Sequence, residues 1–304
     1  MTTIVMARAN ARQGLLQIVL AAVLWGTVGI TTKSLYGLSD TTALSIGFFR
    51  LAISAPVLFA ACWYTLGARA FRIPPRDLVY MMLIGVAIAL YQVCYFAAIA
   101  RLGVAIAVLI TLCTAPVMVA LISALLLRER LGRVVLLALL CAICGTVLLV
   151  WVGPDASGVA HDTLPGILLA LSSAFGYTII TLCSRTLAGR YHPLQPITVG
   201  FGAGALMLLP FALVTGMVVA YPALGWGLLL YMGLVPTALA YGFFLAGMRH
   251  TTATVATIAT LIEPLTSTTL AWLLLGERLG PLGLLGGALL LGAIGLLYRH
   301  STRR

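Results

Sequence analysis

Charge is what this sequence lacks. Only 8% of its 304 residues are Asp, Glu, Lys or Arg, and the acidic ones number 7. A soluble domain cannot cover its surface with so few charges. Histidine is equally scarce. His161 and His192 fall at opposite ends of the apolar runs around them, and His250 and His300 are terminal to others, so no convergent catalytic set forms and an integral membrane enzyme is disfavoured. No phosphate-binding loop is present. GTVGITTKS (Gly26–Ser34) resembles one faintly, but Thr32 stands where a glycine must precede the lysine, and no strand comes before it. The six cysteines (Cys62, Cys94, Cys113, Cys141, Cys144 and Cys183) all lie inside apolar runs. They read as packing thiols, and the Cys141/Cys144 spacing has no polar company to make it redox-active. No metal or other cofactor is expected. A continuous polar stripe or charged ring, as a channel needs, is also missing.

What is present is apolar sequence: 62% of all residues, with a mean hydropathy of +1.12. Runs long enough to span a bilayer recur from end to end, so the lipid bilayer is the expected surroundings. Ten spans are predicted: Leu15–Tyr36, Thr41–Thr65, Asp77–Ala100, Ala105–Leu127, Arg133–Val152, Leu164–Ala188, Pro193–Met217, Pro222–Gly247, Thr251–Leu275 and Pro281–Tyr298. The first is too long for a signal peptide and lacks a convincing cleavage site. The net charge of +11 lies almost entirely between the runs. With the N-terminus inside, fourteen arginines (8, 12, 69, 72, 76, 128, 130, 133, 185, 190, 249, 299, 303 and 304) are cytoplasmic. Only Lys33, Arg101 and Arg278 are external. That asymmetry places both termini in the cytoplasm. No basic face with interleaved aromatics exists to bind nucleic acid.

One stretch organises the rest. Arg101–Gly132 recurs as Arg249–Gly280 at one constant offset without a gap. Pro116 falls on Pro264, and LLLRERLG (Leu125–Gly132) falls on LLLGERLG (Leu273–Gly280). The pairs Gly85/Gly233 and Phe96/Phe244 extend the register backward. The copies lie five spans apart, an odd number, so they cross the membrane in opposite directions. Inverted repeats of this kind characterise alternating-access transporters, with substrate near the midplane. The expected division is a first five-helix unit at 1–152, an external connection at 153–163, and a second, inverted unit at 164–304.

The pattern resembles the drug/metabolite transporter superfamily, in its ten-helix branch with two EamA-type units. The matching pieces are Trp25-Gly26, Arg50, Pro116 and Pro264, and Glu129-Arg130 and Glu277-Arg278. Within that branch the chain is most similar to bacterial aromatic amino-acid exporters. The resemblance implies an all-α membrane protein: ten helices around a central cavity, the fifth and tenth outside, in a bacterial inner membrane. It also implies that the third–fourth and eighth–ninth hairpins move to open one side and close the other.

Glu263 is the strongest single candidate. It sits mid-span before Pro264, where the first copy has Ala115. A charge there costs about 2.5–3.5 kcal/mol on insertion scales and marks function by default. It would bind a substrate ammonium, exchange protons, or pair with a cation. Arg50, also inside a span, would face a substrate carboxylate, neutralise Glu263 or carbonyls freed by a proline, or anchor structure. Pro116 and Pro264 each remove a helix hydrogen bond at mid-membrane depth, and read as gate kinks or static ones. Trp25, Tyr91, Tyr95, Tyr177, Tyr241 and Phe244 fall at comparable depths, with Gln92 beside Tyr91. Together with Thr111, Thr114, Ser173, Thr257 and Thr260 they would make an apolar pocket with scattered hydroxyls, able to hold a cationic amine against a ring. Glu129-Arg130 and Glu277-Arg278 read as structural caps or ties on the helix that follows. Gly283, Gly287, Gly292 and Gly295 give the last span a small-residue face, for packing within a monomer or in a weak dimer.

The expected function is export of a small amphipathic solute, foremost aromatic and other neutral amino acids, by alternating access. Facilitated diffusion is favoured: Glu263 is the only obvious mid-membrane carboxylate, and the first span has none where, as the resemblance implies, small multidrug relatives carry a proton-coupling glutamate. The alternative is a multidrug or metabolite exporter of the same fold driven by proton antiport.

Overall fold

A computed structural model describes the chain apart from residues 1, 127–132, 152–162, 188, 249, 251–258, 261 and 302–304. All regular structure among the described residues is helical. Helices α1 (Thr2–Gly26) and α2 (Val28–Leu38) form the first span, followed by α3 (Ala43–Leu66), α4 (Pro75–Leu102), α5 (Val104–Leu126) and α6 (Arg133–Trp151). The second half runs α7 (Thr163–Leu187), α8 (Leu194–Thr215), α9 (Ala223–Gly233), α10 (Ala240–Met248), α11 (Ile262–Leu275) and α12 (Pro281–Ser301). Six stretches are by themselves long and apolar enough to cross a bilayer, and α5, α6, α11 and α12 bring the spans to ten.

Local chemistry sets the ends. Thr42 caps α3 by accepting the Ser45 amide at 3.1 Å. Pro75 and Pro281 open α4 and α12, where the missing N–H costs nothing. Gly103 ends α4 at φ +79°, a conformation that favours glycine.

Two predicted spans are not continuous helices. The first breaks at Thr27, whose hydroxyl donates to the Leu24 carbonyl at 2.7 Å and pairs with the Tyr231 hydroxyl at 2.9 Å. Hydropathy cannot register such a break, because Thr27 is flanked by apolar residues on both sides. The eighth span widens to a π-turn over Leu234–Leu239, between α9 and α10. Pro236 causes it: proline brings no N–H for the Met232 carbonyl four residues back. The Thr237 hydroxyl takes that carbonyl instead, at 2.8 Å.

Packing follows the inverted repeat. The pair α4–α7 is matched by α10–α1, and α5–α7 by α11–α1, while α3–α8, α5–α11 and α6–α12 pair each element with its own counterpart. Small residues set the closest approaches. A Cβ on Gly85 would lie 2.9 Å from the Gly200 carbonyl (α4 on α8), and one on Gly176 would lie 3.0 Å from the Ala87 carbonyl (α7 on α4). In α12, Gly286 approaches α6 so closely that a Cβ on Gly145 would lie 2.7 Å from its carbonyl. Gly287 faces Leu109 of α5, whereas Gly292 and Gly295 meet no neighbour. The last span therefore uses part of its small-residue face within the monomer. All six thiols are free.

The two ends of the bundle are tied differently. Where α2, α4 and α11 finish, the Tyr36 hydroxyl donates to the Phe96 carbonyl at 2.9 Å, Thr41 pairs with Tyr221, and the Val218 amide donates to Ser45 Oγ at 3.1 Å. At the opposite end, Asp77 takes the Arg190 guanidinium at 3.0 Å and the Tyr191 hydroxyl at 2.6 Å. That hydrogen bond raises the Tyr191 phenol above its ordinary pKa, since ionisation would set two anions side by side.

Candidate functional site

The structure gathers the mid-span aromatics into two groups, one on each symmetry-related helix pair. Across α4 and α7, the Tyr91 and Tyr95 rings stack at 5.8 Å and 11°, and Tyr177 meets Tyr91 at 5.8 Å. Across α1 and α10, Trp25 meets Tyr241 and Phe244, each at 5.3 Å. Phe201 of α8 adds an edge contact to Tyr241 at 5.7 Å. Such offset and edge geometries favour the rings electrostatically beyond simple burial.

Two ionisable side chains lie inside the spans near these groups: Arg50 packs on Phe96, whose ring meets Tyr95 at 5.7 Å, and Glu263 lies where α11 closes on Gly26, the neighbour of Trp25. They form no contact ion pair; among the described residues the one salt bridge joins Asp77 and Arg190. Glu263 is half-buried, and Tyr177 is 41% exposed despite its place among these groups.

Arg50 is fixed with unusual care. It is 6% exposed. Its Nε–H donates to Thr237 Oγ1 at 3.0 Å, and that hydroxyl passes its own proton to the Met232 carbonyl left free by Pro236. Its Cζ stands 5.9 Å from the centre of the Phe96 ring. A guanidinium carries five N–H donors in a rigid fork. Here Nε is spent on Thr237, and among the described residues the two terminal nitrogens make no hydrogen bond. Thr237 was not legible in the sequence, where threonines are common inside the spans. Its one signal is the proline immediately before it.

Glu263 is held by backbone proximity. Gly26, next to the α1 break, comes so close to α11 that a Cβ would lie 2.9 Å from the Glu263 carbonyl oxygen and 2.7 Å from Thr266 Cβ. One turn further along α11, Ser267 is 1% exposed and its hydroxyl has no hydrogen-bond partner.

Three of the expected hydroxyls are taken up by backbone carbonyls. Ser173 donates to the Tyr91 carbonyl at 2.9 Å and Thr111 to the Ala170 carbonyl at 3.3 Å, so both stitch α7 to its neighbours. Thr114 bonds back to Ile110 in its own helix. Gln92 is buried beside Tyr91, one turn from Phe96, with its side-chain oxygen unpaired. Thr260 is half-buried three residues before Glu263, and Thr257 lies outside the described residues. Pro116 is half-buried and Pro264 buried. Helix α5 is tied to α7 a second time by Thr178, whose hydroxyl donates to the Ala174 and Ala115 carbonyls at 2.8 and 3.4 Å.

Glu277 departs from expectation. Instead of capping the helix that follows, its two carboxylate oxygens accept the Val104 and Ala105 amides, both at 2.9 Å, at the start of α5. The carboxylate meets the positive end of a helix in the other repeat, which explains the choice. Glu129 and Arg130 lie outside the described residues. Among the described residues, no cluster of His, Cys, Asp or Glu could hold a metal ion.

The chain matches the model of the EamA-like transporter family twice, over residues 12–151 and 164–299. It is 30% identical to the uncharacterized transporter YwfM of Bacillus subtilis, covering 94% of this chain and 93% of that one. An uncharacterized transporter of Archaeoglobus fulgidus is 31% identical over 95% and 97%. The pseudopaline exporter CntI of Pseudomonas aeruginosa is 30% identical over 95% and 96%. A protein of known crystal structure shares the fold, with a TM-score of 0.64 at 21% identity over 95% of this chain and 98% of that one.

Proposed function

Since the chain belongs to the EamA-like transporter family, we propose that it exports aromatic and other neutral amino acids by alternating access, as a facilitated-diffusion carrier. The observation that carries this reading is the pair Arg50 and Glu263: a buried guanidinium packed on Phe96 beside the tyrosine stack, and a half-buried carboxyl on α11 close to the Trp25 helix, with no salt bridge between them. A zwitterion fits between them. Its carboxylate takes the free edge of the guanidinium fork, its ammonium takes Glu263, and its side chain lies against the tyrosine stack. Fixed partners of both signs compensate the desolvation of a zwitterion, which an apolar pocket alone could not do.

We take residues 1–152 and 164–304 as the two inverted units joined by 153–163, working as a monomer or weak dimer. The arginine asymmetry supports placing both termini in the cytoplasm of a bacterial inner membrane. A related exporter of a named metabolite supports the outward direction.

Glu263 also supports a second reading. A half-buried carboxyl at mid-membrane depth can carry a proton, which would make the protein a proton-driven exporter of drugs or metabolites. Purified protein in liposomes separates the two. Labelled phenylalanine, tryptophan and threonine should equilibrate without a pH gradient, and a cationic dye should not compete. Accumulation against a concentration gradient when a pH gradient is applied would favour antiport, and no flux of any amino acid would remove the leading reading.

A further inference from the structure

We infer that Glu277 is a latch holding one end of the transport path shut, released from α5 and re-formed in every cycle. The contact joins the two repeats at their proline-bearing helices. Both carboxylate oxygens are engaged, on the Val104 and Ala105 amides, at 2.9 Å each. Behind them the end is packed: Val104 is fully buried and Ala105 is 2% exposed.

Both partners follow a glycine with positive φ, Gly103 at +79° before Val104 and Gly276 at +67° before Glu277. Each is a point where the chain turns freely. Gly103 is also the floor of the seat, since a Cβ there would stand 2.8 Å from Glu277 Oε1 and 3.0 Å from its Cδ. The chemistry suits a reversible contact. Charge-assisted bonds to helix amides are strong while closed, and near the membrane surface water replaces them on opening, so the net cost stays modest. Between latch and candidate site lies Ser267, 1% exposed, its hydroxyl without a partner and close against Gly29 of α2. Separation of α11 from α2 and α5 uncovers it. The arginine asymmetry makes this the outer end.

The latch rests on the alternating-access reading but not on the identity of the substrate, and its test needs no transport. The six native cysteines are replaced and Ser267→Cys is introduced into the full chain in oriented liposomes. A membrane-impermeant maleimide is then applied to each face in turn. Labelling from the outer face is expected to be slow, and to speed up about tenfold or more in Glu277→Gln. Gly103→Ala, which fills the seat from the other partner, should do the same. Glu277→Asp should fall between, and Arg278→Gln, an exposed neighbour, should stay at the parent rate. Thermal melting confirms that each variant is folded. Unchanged rates in both Glu277→Gln and Gly103→Ala would overturn the latch, as would equal acceleration from the two faces, which marks general loosening.

Discussion

The two copies of the duplicated stretch share a mid-span proline and a terminal Glu-Arg, yet their prolines sit in different chemistry. In α5 the residue before Pro116 is Ala115, fully buried, its carbonyl within reach of Thr178 on α7. In α11 the residue before Pro264 is Glu263, half-buried, where the helix closes on Gly26 of α1. One copy places a buried alanine against its neighbour, and the other places an ionisable carboxyl inside the span. Duplication supplies a symmetric frame, and a single asymmetric residue gives that frame a chemical direction. Arg50 completes the asymmetry from α3, where its anchor is a defect in another span: the π-turn at Pro236.

The largest expected effect comes from forcing the copies to match. Ala115→Glu puts a carboxylate where no cavity receives it, and should cost about 2.5–3.5 kcal/mol, seen as low yield and a lowered melting temperature in detergent. A stable, active variant would mean that Ala115 also faces the cavity. The converse change, Glu263→Ala, should leave the fold intact and raise the KM for amino acids about 10- to 100-fold, the worth of one charged hydrogen bond of about 1.5–3 kcal/mol.

Removing the support of Arg50 should act more gently. Thr237→Val leaves Nε and the Met232 carbonyl unpaired and should raise the KM for amino acids about fivefold, by about 1 kcal/mol, while a solute lacking a carboxylate is unaffected. Arg50→Lys, with one point charge in place of a planar fork, should not restore the wild-type value. Smallest of all is the effect of the tyrosine stack. Tyr91→Ala should narrow the preference for phenylalanine over threonine by about 2- to 10-fold, the range of an aromatic pair at about 0.5–1.5 kcal/mol, without abolishing flux of either.

Much of this was legible before any coordinates. Ten apolar runs, the repeat and its inversion follow from spacing alone. Glu263 and Arg50 stand out because ionisable groups inside spans are so few. The breaks were not legible. Thr27 and the π-turn depend on which carbonyl each hydroxyl finds, and hydropathy carries no such register. The hydroxyl set shows the same limit. Sequence puts Ser173 and Thr111 inside spans, but position along a span does not fix rotation about the helix axis, and both turn to a neighbouring backbone. Glu277 was seen as a cap, but its partner lies 173 residues away in the chain, and only folding brings the two together.

If one substrate spans Arg50 and Glu263, competition against labelled phenylalanine in proteoliposomes reveals it. Phenethylamine keeps the ammonium and loses the carboxylate, and 3-phenylpropionate does the reverse. Neutral amino acids should compete well, and each analogue should compete at least about tenfold more weakly, because each leaves one fixed charge unpaired. Equal inhibition by phenylalanine and either analogue would show that one of the two charges takes no part in binding, and would contradict the account.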